Sequence, residues 1–183
     1  MLNTSLNRSD AAVREVIAQV WKVDVANLDP QEMVNAVAEA MRDPANAERI
    51  WESLDDGQRG ALQTLIGAKG KMSDKQFEML YGKIRKMGRG QIQRENPLQT
   101  PNSIAESLYY RGLIFIGYEN ADTGAKPIVQ VPPDLLAVLP THRTAYDDLE
   151  DGLPSESPAD VPYIDEAGPT IDALDPDSLD DMR

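Results

Sequence analysis

Residues 54–84 read LDDGQRGALQTLIGAKGKMSDKQFEMLYGKI, and residues 103–140 read SIAESLYYRGLIFIGYENADTGAKPIVQVPPDLLAVLP. In these two stretches a polar capping residue is repeatedly followed, three residues later, by Gln or Glu and then by apolar residues at helical spacing. The capping pairs are Asp55 with Gln58, Ser73 with Gln76, and Ser103 with Glu106. This pattern predicts three helices, and the third should end at Gly112, since Gly is a favourable C-terminal cap.

The residues after the third helix predict a β-hairpin. Residues 113–118 and 128–131 are rich in β-branched and aromatic side chains, and residues 120–124 between them have the composition of a turn. Three helices followed by a hairpin is the order of a winged helix. We therefore predict a mainly α fold with a winged-helix domain at residues 54–143.

An N-terminal helical extension is predicted for residues 1–53. Residues 1–8 are polar and are expected to fray, and a helix should start at Ser9 or Asp10. Its apolar stripe is formed by Val13, Val16, Ile17 and Val20. Further helices are predicted from Asp29 with Pro30 behind it, and from Pro44. Because isolated helices of this length are marginally stable, we expect them to pack together or onto the first helix of the predicted winged helix.

The negative charge of the chain is concentrated at one end. The net charge is -13, and residues 144–183 contain 13 of the 31 acidic residues and one basic residue, while residues 1–143 are nearly neutral. The last stretch is also rich in Pro and poor in apolar residues, which predicts a disordered acidic tail. Apolar residues beside acids, as at Tyr163 and Ile164, are expected to dock onto a protein partner. The pI near 4.4 describes this tail and does not argue against nucleic-acid binding by the body.

No catalytic or cofactor chemistry is recognisable. The chain has no Cys, and its one His, His142, lacks the converging partners of a zinc site or a catalytic triad. The run GAKGKMS is not a phosphate loop, since Leu65 stands where the motif needs Gly. We expect a protein that is not an enzyme, has no cofactor or metal, and, lacking a long apolar segment, is cytoplasmic and not bound to a membrane.

Basic residues are concentrated in residues 69–94, which have a net charge of +6. They suit either a solvated helix face or contact with phosphates. The predicted nucleic-acid-binding residues are Lys69, Lys71, Lys83, Arg85, Lys86, Arg89 and Arg94. Some of them begin a Gly-rich connection at residues 87–103, which is expected to be a functional loop.

The third helix does not have the composition of a base reader. Its presumed outer face is formed by Asn102, Ser103, Glu106, Ser107 and Tyr110. A helix that reads bases usually presents Arg, Lys, Asn or Gln, and a glutamate would repel phosphates. Any DNA contact is therefore expected to depend on backbone or shape. Tyr109, Tyr110 and Phe115 are expected to be scaffold residues instead of stacking platforms.

Several segments resemble a known family. They are LYGKIRKMGRGQIQRENP, SIAESLYY, RGLIFIGYE and VPPDLLAVLP. Together they resemble the helical and winged-helix region at the N-terminus of bacterial XPB-type DNA helicases and of related stand-alone bacterial proteins, over residues 29–140. In such helicases the region is an accessory module linked to distorted DNA and to protein partners. The resemblance implies a helicase-like accessory domain here, without the helicase motor, whose motifs are missing.

Two functional hypotheses follow from these observations. The first is a DNA-associated or regulatory adaptor that binds duplex or forked DNA with weak sequence specificity. The alternative is a protein interaction scaffold whose acidic tail recruits a basic partner or mimics nucleic acid for it. A third hypothesis joins them, because a tethered acidic tail can cover a basic patch and suppress binding.

Overall fold

The computed structural model describes residues 1–121 and 124–140. The predicted acidic tail and His142 lie outside the described residues. The part described is mainly helical with a small antiparallel sheet, which confirms the predicted class at that level. The elements are α1 (Leu2–Arg8), α2 (Ala11–Val20), α3 (Pro30–Arg42), α4 (Pro44–Glu52), α5 (Asp56–Gly67), β1 (Lys71–Ser73), α6 (Asp74–Tyr81), α7 (Arg89–Glu95), α8 (Ile104–Tyr110), β2 (Phe115–Ala121), β3 (Gly124–Gln130) and α9 (Pro133–Leu136). None of these helices is long and apolar enough to cross a membrane.

The first helix corrects a prediction. Residues 1–8 were expected to fray, but they form α1, in which Leu2 and Leu6 are fully buried. The helix packs against α3 and α9. The Asp134 carboxylate in α9 accepts hydrogen bonds from the Leu2 backbone N–H at 3.2 Å and from the Arg42 guanidinium at 3.1 Å. Burial of two leucines offsets the entropy of ordering the segment, which its polar composition did not reveal.

Capping side chains start the next three helices near the predicted positions. Asp10 accepts a hydrogen bond from the Ala12 N–H at the start of α2. Asp29 and Glu32 form a capping box at α3. Asp43 caps α4 in the same way as Asp10 caps α2. These bonds satisfy backbone donors that have no partner inside the helix, so the local sequence is sufficient to place each start.

The N-terminal helices pack directly on α8. The Trp21 indole N–H donates to the Arg111 carbonyl oxygen at 2.9 Å. Gly112, with φ +73°, lies so close to Ile17 that an added Cβ would be 2.7 Å from its Cγ2. The buried apolar residues of helices α1–α4 and of the remaining elements belong to one core. The predicted packing of these helices on one another is therefore observed, in the contacts of α3 with α1, α2 and α4. Among the three predicted helices of the winged helix, they pack mainly on α8, the third, through α2, instead of on the first helix that was expected.

The three predicted capping pairs in residues 54–110 all mark helix starts, those of α5, α6 and α8. The connection at residues 87–103, expected to be a loop, contains α7 and so departs from the prediction. Ile92 of α7 is buried, and α7 contacts α2. The contact with α2 thus stabilises a short helix in a segment whose Gly, Pro and polar residues had predicted a loop.

The sheet has three strands in the order β1-β3-β2, all antiparallel. The predicted hairpin corresponds to β2 and β3, with Phe115 opposite Gln130 and Ala121 opposite Gly124. The strands are longer than predicted on the turn side, because residues 120, 121 and 124, expected in the turn, belong to the strands. Strand β1 was not predicted, because three residues are too few to carry a strand pattern. It exists because Met72 pairs with Val129 in β3, a contact distant in sequence.

Candidate interaction site

Helix α8 is enclosed by the rest of the chain. All residues from Ala105 to Tyr110 are buried, including Glu106, which is 0% exposed, and Ser107, which is 1% exposed. The Gln58 side chain of α5 donates to Ser107 Oγ at 2.9 Å, inside the protein. The prediction that Glu106, Ser107 and Tyr110 form an outer face is therefore wrong. Polar side chains at these positions have intramolecular partners, which a helical pattern cannot distinguish from exposure to solvent.

The charge of Glu106 is balanced by Arg85. The guanidinium donates from Nε to Glu106 Oε1 and from Nη2 to Oε2, both at 2.8 Å, and from Nη1 to Glu95 Oε2 at 2.5 Å. The Asn102 N–H adds a 2.7 Å bond to Glu106. Such a bidentate pair with further hydrogen bonds is the arrangement that makes a buried carboxylate tolerable.

These contacts set the protonation state of the pair. Burial on its own would raise the pKa of Glu106, but the hydrogen bonds from Arg85 and Asn102 outweigh burial and lower that pKa below its ordinary value. The bond to Glu106 likewise raises the pKa of Arg85, against the opposing effect of desolvation. Both groups are therefore charged at neutral pH, and the charge of Arg85 is neutralised within the fold.

The segment between α6 and α7, residues 82–88, is held against α8. Gly82 has φ +87°, and a Cβ there would be 2.5 Å from Ser103 Cβ, so Gly is required on two counts. The Ser103 hydroxyl donates to the Lys83 carbonyl oxygen at 2.8 Å, and the Tyr110 hydroxyl donates to the Arg85 carbonyl oxygen at 2.9 Å. The backbone of residues 82–88 is thus fixed by hydrogen bonds to α8 and to Ser103 before it, while the side chains of Lys83 and Lys86 are exposed.

Two adjoining clefts run between this segment and β2. One has a volume of about 670 Å³ and the other about 400 Å³, and Lys86 and Ile116 line both. We call the two together the β2 groove. The larger cleft is also bordered by Arg8 and Asp10 from the N-terminal helices and by Tyr118. The groove combines exposed cations, acids and apolar side chains.

Tyr109 and Tyr110 form the floor of the larger cleft. Tyr109 is 9% exposed, Tyr110 is 0% exposed, and nearby Phe115 is 2% exposed, which confirms the prediction that all three are scaffold residues. Burial raises the pKa of Tyr109, with a further contribution from Asp10, and raises the pKa of Tyr110 to about 12. Both phenols are therefore neutral at physiological pH.

The seven predicted basic residues have different environments. Three are engaged in ion pairs: Lys71 with Glu119, Arg85 with Glu95 and Glu106, and Arg89 with Glu15. Four are exposed and form no ion pair with any residue that the structure describes: Lys69, Lys83, Lys86 and Arg94. The β2 groove brings together Lys83, Arg85 and Lys86. Arg89 instead lines a separate cavity of about 210 Å³ with Glu15.

Several exposed residues at or near this region were not singled out from the sequence. Tyr118 is 60% exposed at the larger cleft, and in α6 Met79 is 82% and Leu80 56% exposed. Tyr118 is exposed while Phe115 and Gly117 on the other face of β2 are buried. The strand sequence, FIGYENA, has no alternation of apolar and polar residues that would have indicated this. The contribution of Arg8 had no sequence signal, since it depends on how α1 packs.

Residues 1–121 and 124–140 contain no cluster of three or more His, Cys, Asp or Glu side chains that could hold a metal ion. Comparisons of the chain with protein-family models, with curated proteins and with solved structures find no match.

Proposed function

We propose that residues 54–140 form a winged-helix module within a non-enzymatic adaptor. The order of elements supports this assignment, since α5, β1, α6 and α8 precede the hairpin of β2 and β3, with α7 as an additional helix between α6 and α8. The pairing of β1 with β3 closes the small sheet beside the helices. Winged helices act on nucleic acid or on proteins, so the ligand has to be argued from the surface.

The principal ligand of this module is a protein. The observation that carries this conclusion is the burial of α8, the helix that would enter the major groove of DNA in a helix-turn-helix reader. Its side chains contact α5, residues 85–87 and the N-terminal helices, and none of the faces between Ala105 and Tyr110 is available to bases. Direct readout by α8 would require unfolding these contacts.

Two further observations favour a protein partner. Three of the seven candidate cations are paired with carboxylates, which reduces the charge available for phosphates. Exposed Met79, Leu80 and Tyr118 provide apolar surface, and aromatic residues and Met are enriched in protein interfaces.

DNA is the second candidate ligand, favoured by Lys83 and Lys86. Both are exposed, both line the β2 groove, and neither pairs with a carboxylate in the described ranges. Two lysines on a pinned backbone would contact phosphates without reading sequence. This mode matches a backbone-dependent or shape-dependent adaptor.

The two candidates are separated by one pair of measurements on the full chain. A labelled duplex and a labelled fork are titrated at about 50 mM and about 200 mM salt, while a displayed library of random peptides is selected against the same protein. We expect enriched peptides that bind in solution and no saturable DNA binding.

Variants of the lysines decide the outcome. DNA affinity that falls steeply with salt and is lost in Lys83→Ala/Lys86→Ala, but not in the matched Lys69→Ala/Arg94→Ala, would establish the DNA function instead. Failure of the library to yield any binding peptide would refute the proposed protein-binding function.

A further inference from the structure

Resting on the proposed protein-binding function, we infer that the larger cleft of the β2 groove takes an extended, acidic peptide of a partner protein, which pairs with the outer edge of β2 as a fourth strand. The smaller cleft is not part of this site, because Asp74 and Glu78 also line it. The sheet order β1-β3-β2 makes β2 an edge strand. The larger cleft of the groove lies against it, because Ile116 and Tyr118 both line that cleft.

The register shows which backbone groups point outward. Tyr118 lies opposite Pro127. Proline has no N–H, so this pair cannot exchange two hydrogen bonds and must be a non-hydrogen-bonded pair of the antiparallel ladder. Hydrogen-bonded and non-hydrogen-bonded pairs alternate along the ladder. The pair of Ile116 with Val129 lies two residues away, so it is also a non-hydrogen-bonded pair. The N–H and C=O groups of Ile116 and Tyr118 therefore point away from β3.

A second observation gives the same orientation. The Val131 N–H donates to the Gly70 carbonyl oxygen at 2.9 Å, on the β1 side of β3. By alternation, the backbone groups of Val129 and Pro127 point to that side too. Among the described residues, none hydrogen-bonds the main chain of Ile116 or Tyr118. These two residues thus offer donors and acceptors for an added strand.

The sequence and pairing of β2 lack three of the features that keep edge strands from pairing, and a cover is represented by its contact with α1. Proteins usually protect such an edge with Lys, Pro, a bulge or a cover. Strand β2 is FIGYENA, without Lys or Pro, and its pairing with β3 is continuous from Phe115 to Ala121. Its charged residue, Glu119, is engaged with Lys71 across the sheet. Helix α1 contacts β2, but no described strand pairs with the outer side of β2. A strand edge of this kind beside a cleft is the arrangement used for strand addition.

The charges around the cleft select an acidic peptide. Arg8 and Lys86 line it, are exposed, and form no ion pair within the described ranges. Asp10 also lines it, and its carboxylate accepts the Ala12 N–H as the cap of α2. The two cations and this one acid give the larger cleft a net charge of +1, which favours an acidic peptide. Ile116 is half-buried and Tyr118 is 60% exposed, so both can cover an apolar side chain of the peptide. The volume of about 670 Å³ falls within the range of roughly 300–1,000 Å³ found for binding pockets.

The probe for this inference is a synthetic peptide in which Glu alternates with Val around a central Tyr. It is titrated into the isotopically labelled full chain and followed by amide NMR shifts and hydrogen exchange. We expect a dissociation constant below about 1 mM, shifts at Ile116 and Tyr118, and slowed exchange of the Tyr118 amide. The same peptide with Lys in place of Glu should bind at least about tenfold more weakly.

Backbone pairing is tested separately from side-chain contact. Tyr118→Pro removes an outward N–H while sparing the bonds to β3, since proline is tolerated on the solvent side of an edge strand. It should weaken binding about tenfold or more, whereas Tyr118→Ala, which keeps the N–H, should weaken it less. Lys86→Glu should weaken the Glu peptide and strengthen the Lys peptide. Methylating the peptide nitrogens that face β2 should abolish binding to the unaltered protein.

The outcomes separate this inference from the function on which it rests. Peptides from the displayed library that bind Tyr118→Pro as well as the unaltered chain, or that tolerate nitrogen methylation, would overturn strand addition and leave the protein-binding function intact. A probe that does not bind, together with a library that yields nothing, would overturn both. Because the methylated peptide is tested on the unaltered protein, the result does not depend on the folding of any variant.

Discussion

Arg85 and Glu106 form a bidentate ion pair, with Nε to Oε1 and Nη2 to Oε2 both at 2.8 Å, at the surface of the buried helix α8. Glu106 is 0% exposed and the Arg85 side chain 27% exposed, so one side of the pair lies fully inside the protein. Desolvation offsets much of the attraction in such a pair, and removal of one partner is therefore far more costly than replacement of both. The pair joins residues 82–88 to α8 and positions Lys83 and Lys86.

The first prediction concerns this pair. Arg85→Ala should destabilise the protein clearly more than a control substitution does, because it leaves the Glu106 carboxylate buried without its cation. Urea unfolding measured by circular dichroism gives the free energy of unfolding. Lys83→Ala is the matched control and should change that free energy by less than about 0.5 kcal/mol, since Lys83 is exposed and has no described ion pair. Equal effects of the two substitutions would show that the pair contributes nothing.

The second prediction concerns Gly112. Its φ of +73° disfavours any side chain, and a Cβ would be 2.7 Å from Ile17. Gly112→Ala should therefore lower the free energy of unfolding by about 2 kcal/mol or more. Gly60→Ala is the control, because Gly60 lies in α5 with open space around it and should gain about 0.5–1 kcal/mol from helix propensity. Thermal melting measures both variants: the melting temperature should fall for Gly112→Ala and rise for Gly60→Ala.

The third prediction concerns pH and Asp134. The hydrogen bond from the Leu2 N–H, followed by that from Arg42, lowers the pKa of Asp134 to about 2 from the ordinary 3.8. Since the folded-state pKa is depressed, this carboxylate stabilises the fold above about pH 4, and the contribution disappears as the pH falls towards 2. Asp134→Asn should cost about 1 kcal/mol at pH 7 and much less near pH 2. Urea titrations at both pH values test this, and a difference that does not depend on pH would contradict it.

The fourth prediction concerns Tyr110. Tyr110→Phe deletes the hydrogen bond to the Arg85 carbonyl oxygen and should cost about 1 kcal/mol at pH 7. Burial raises the pKa of Tyr110 to about 12 from 10, so the neutral phenol stabilises the fold below pH 10 and this contribution is lost as the pH rises towards 12. The variant should therefore lose less stability than the unaltered protein between these pH values. Tyrosinate absorbance reports the ionisation of Tyr110, and urea unfolding at the same pH values gives the free energy of unfolding. If the variant and the unaltered protein lost equal stability between pH 10 and pH 12, the raised pKa of Tyr110 would be refuted.

Helix starts were predictable because a cap is a local interaction. Asp29 with Glu32 and Asp55 with Gln58 satisfy backbone donors within one turn, so three or four residues contain the necessary information. The hairpin was predictable for a similar reason, since its strands are neighbours in sequence. Helix α1 and strand β1 were not, because their stability depends on partners distant in the chain, namely α3 and α9 for α1 and β3 for β1.

The candidate site was predictable in part. The sequence indicated that Lys83, Arg85 and Lys86 lie in a basic segment, and the structure places all three at one groove. It did not indicate that Arg85 is neutralised, that Arg89 pairs with Glu15, or that Arg8 borders the same cleft. A concentration of basic residues in one segment can be read directly from the sequence. An ion pair between residues far apart in the chain cannot, because it produces no local pattern.

By itself, the sequence determined the helical character of the chain, its capping residues, the hairpin and the separation of the acidic residues 144–183 from a nearly neutral body. Those properties depend on neighbouring residues or on composition. The tertiary structure decided that Glu106 faces inward and that the edge of β2 borders a cleft. Both depend on which elements pack around α8 and on the position of β2 at the end of the strand order, and such packing is a property of the whole fold.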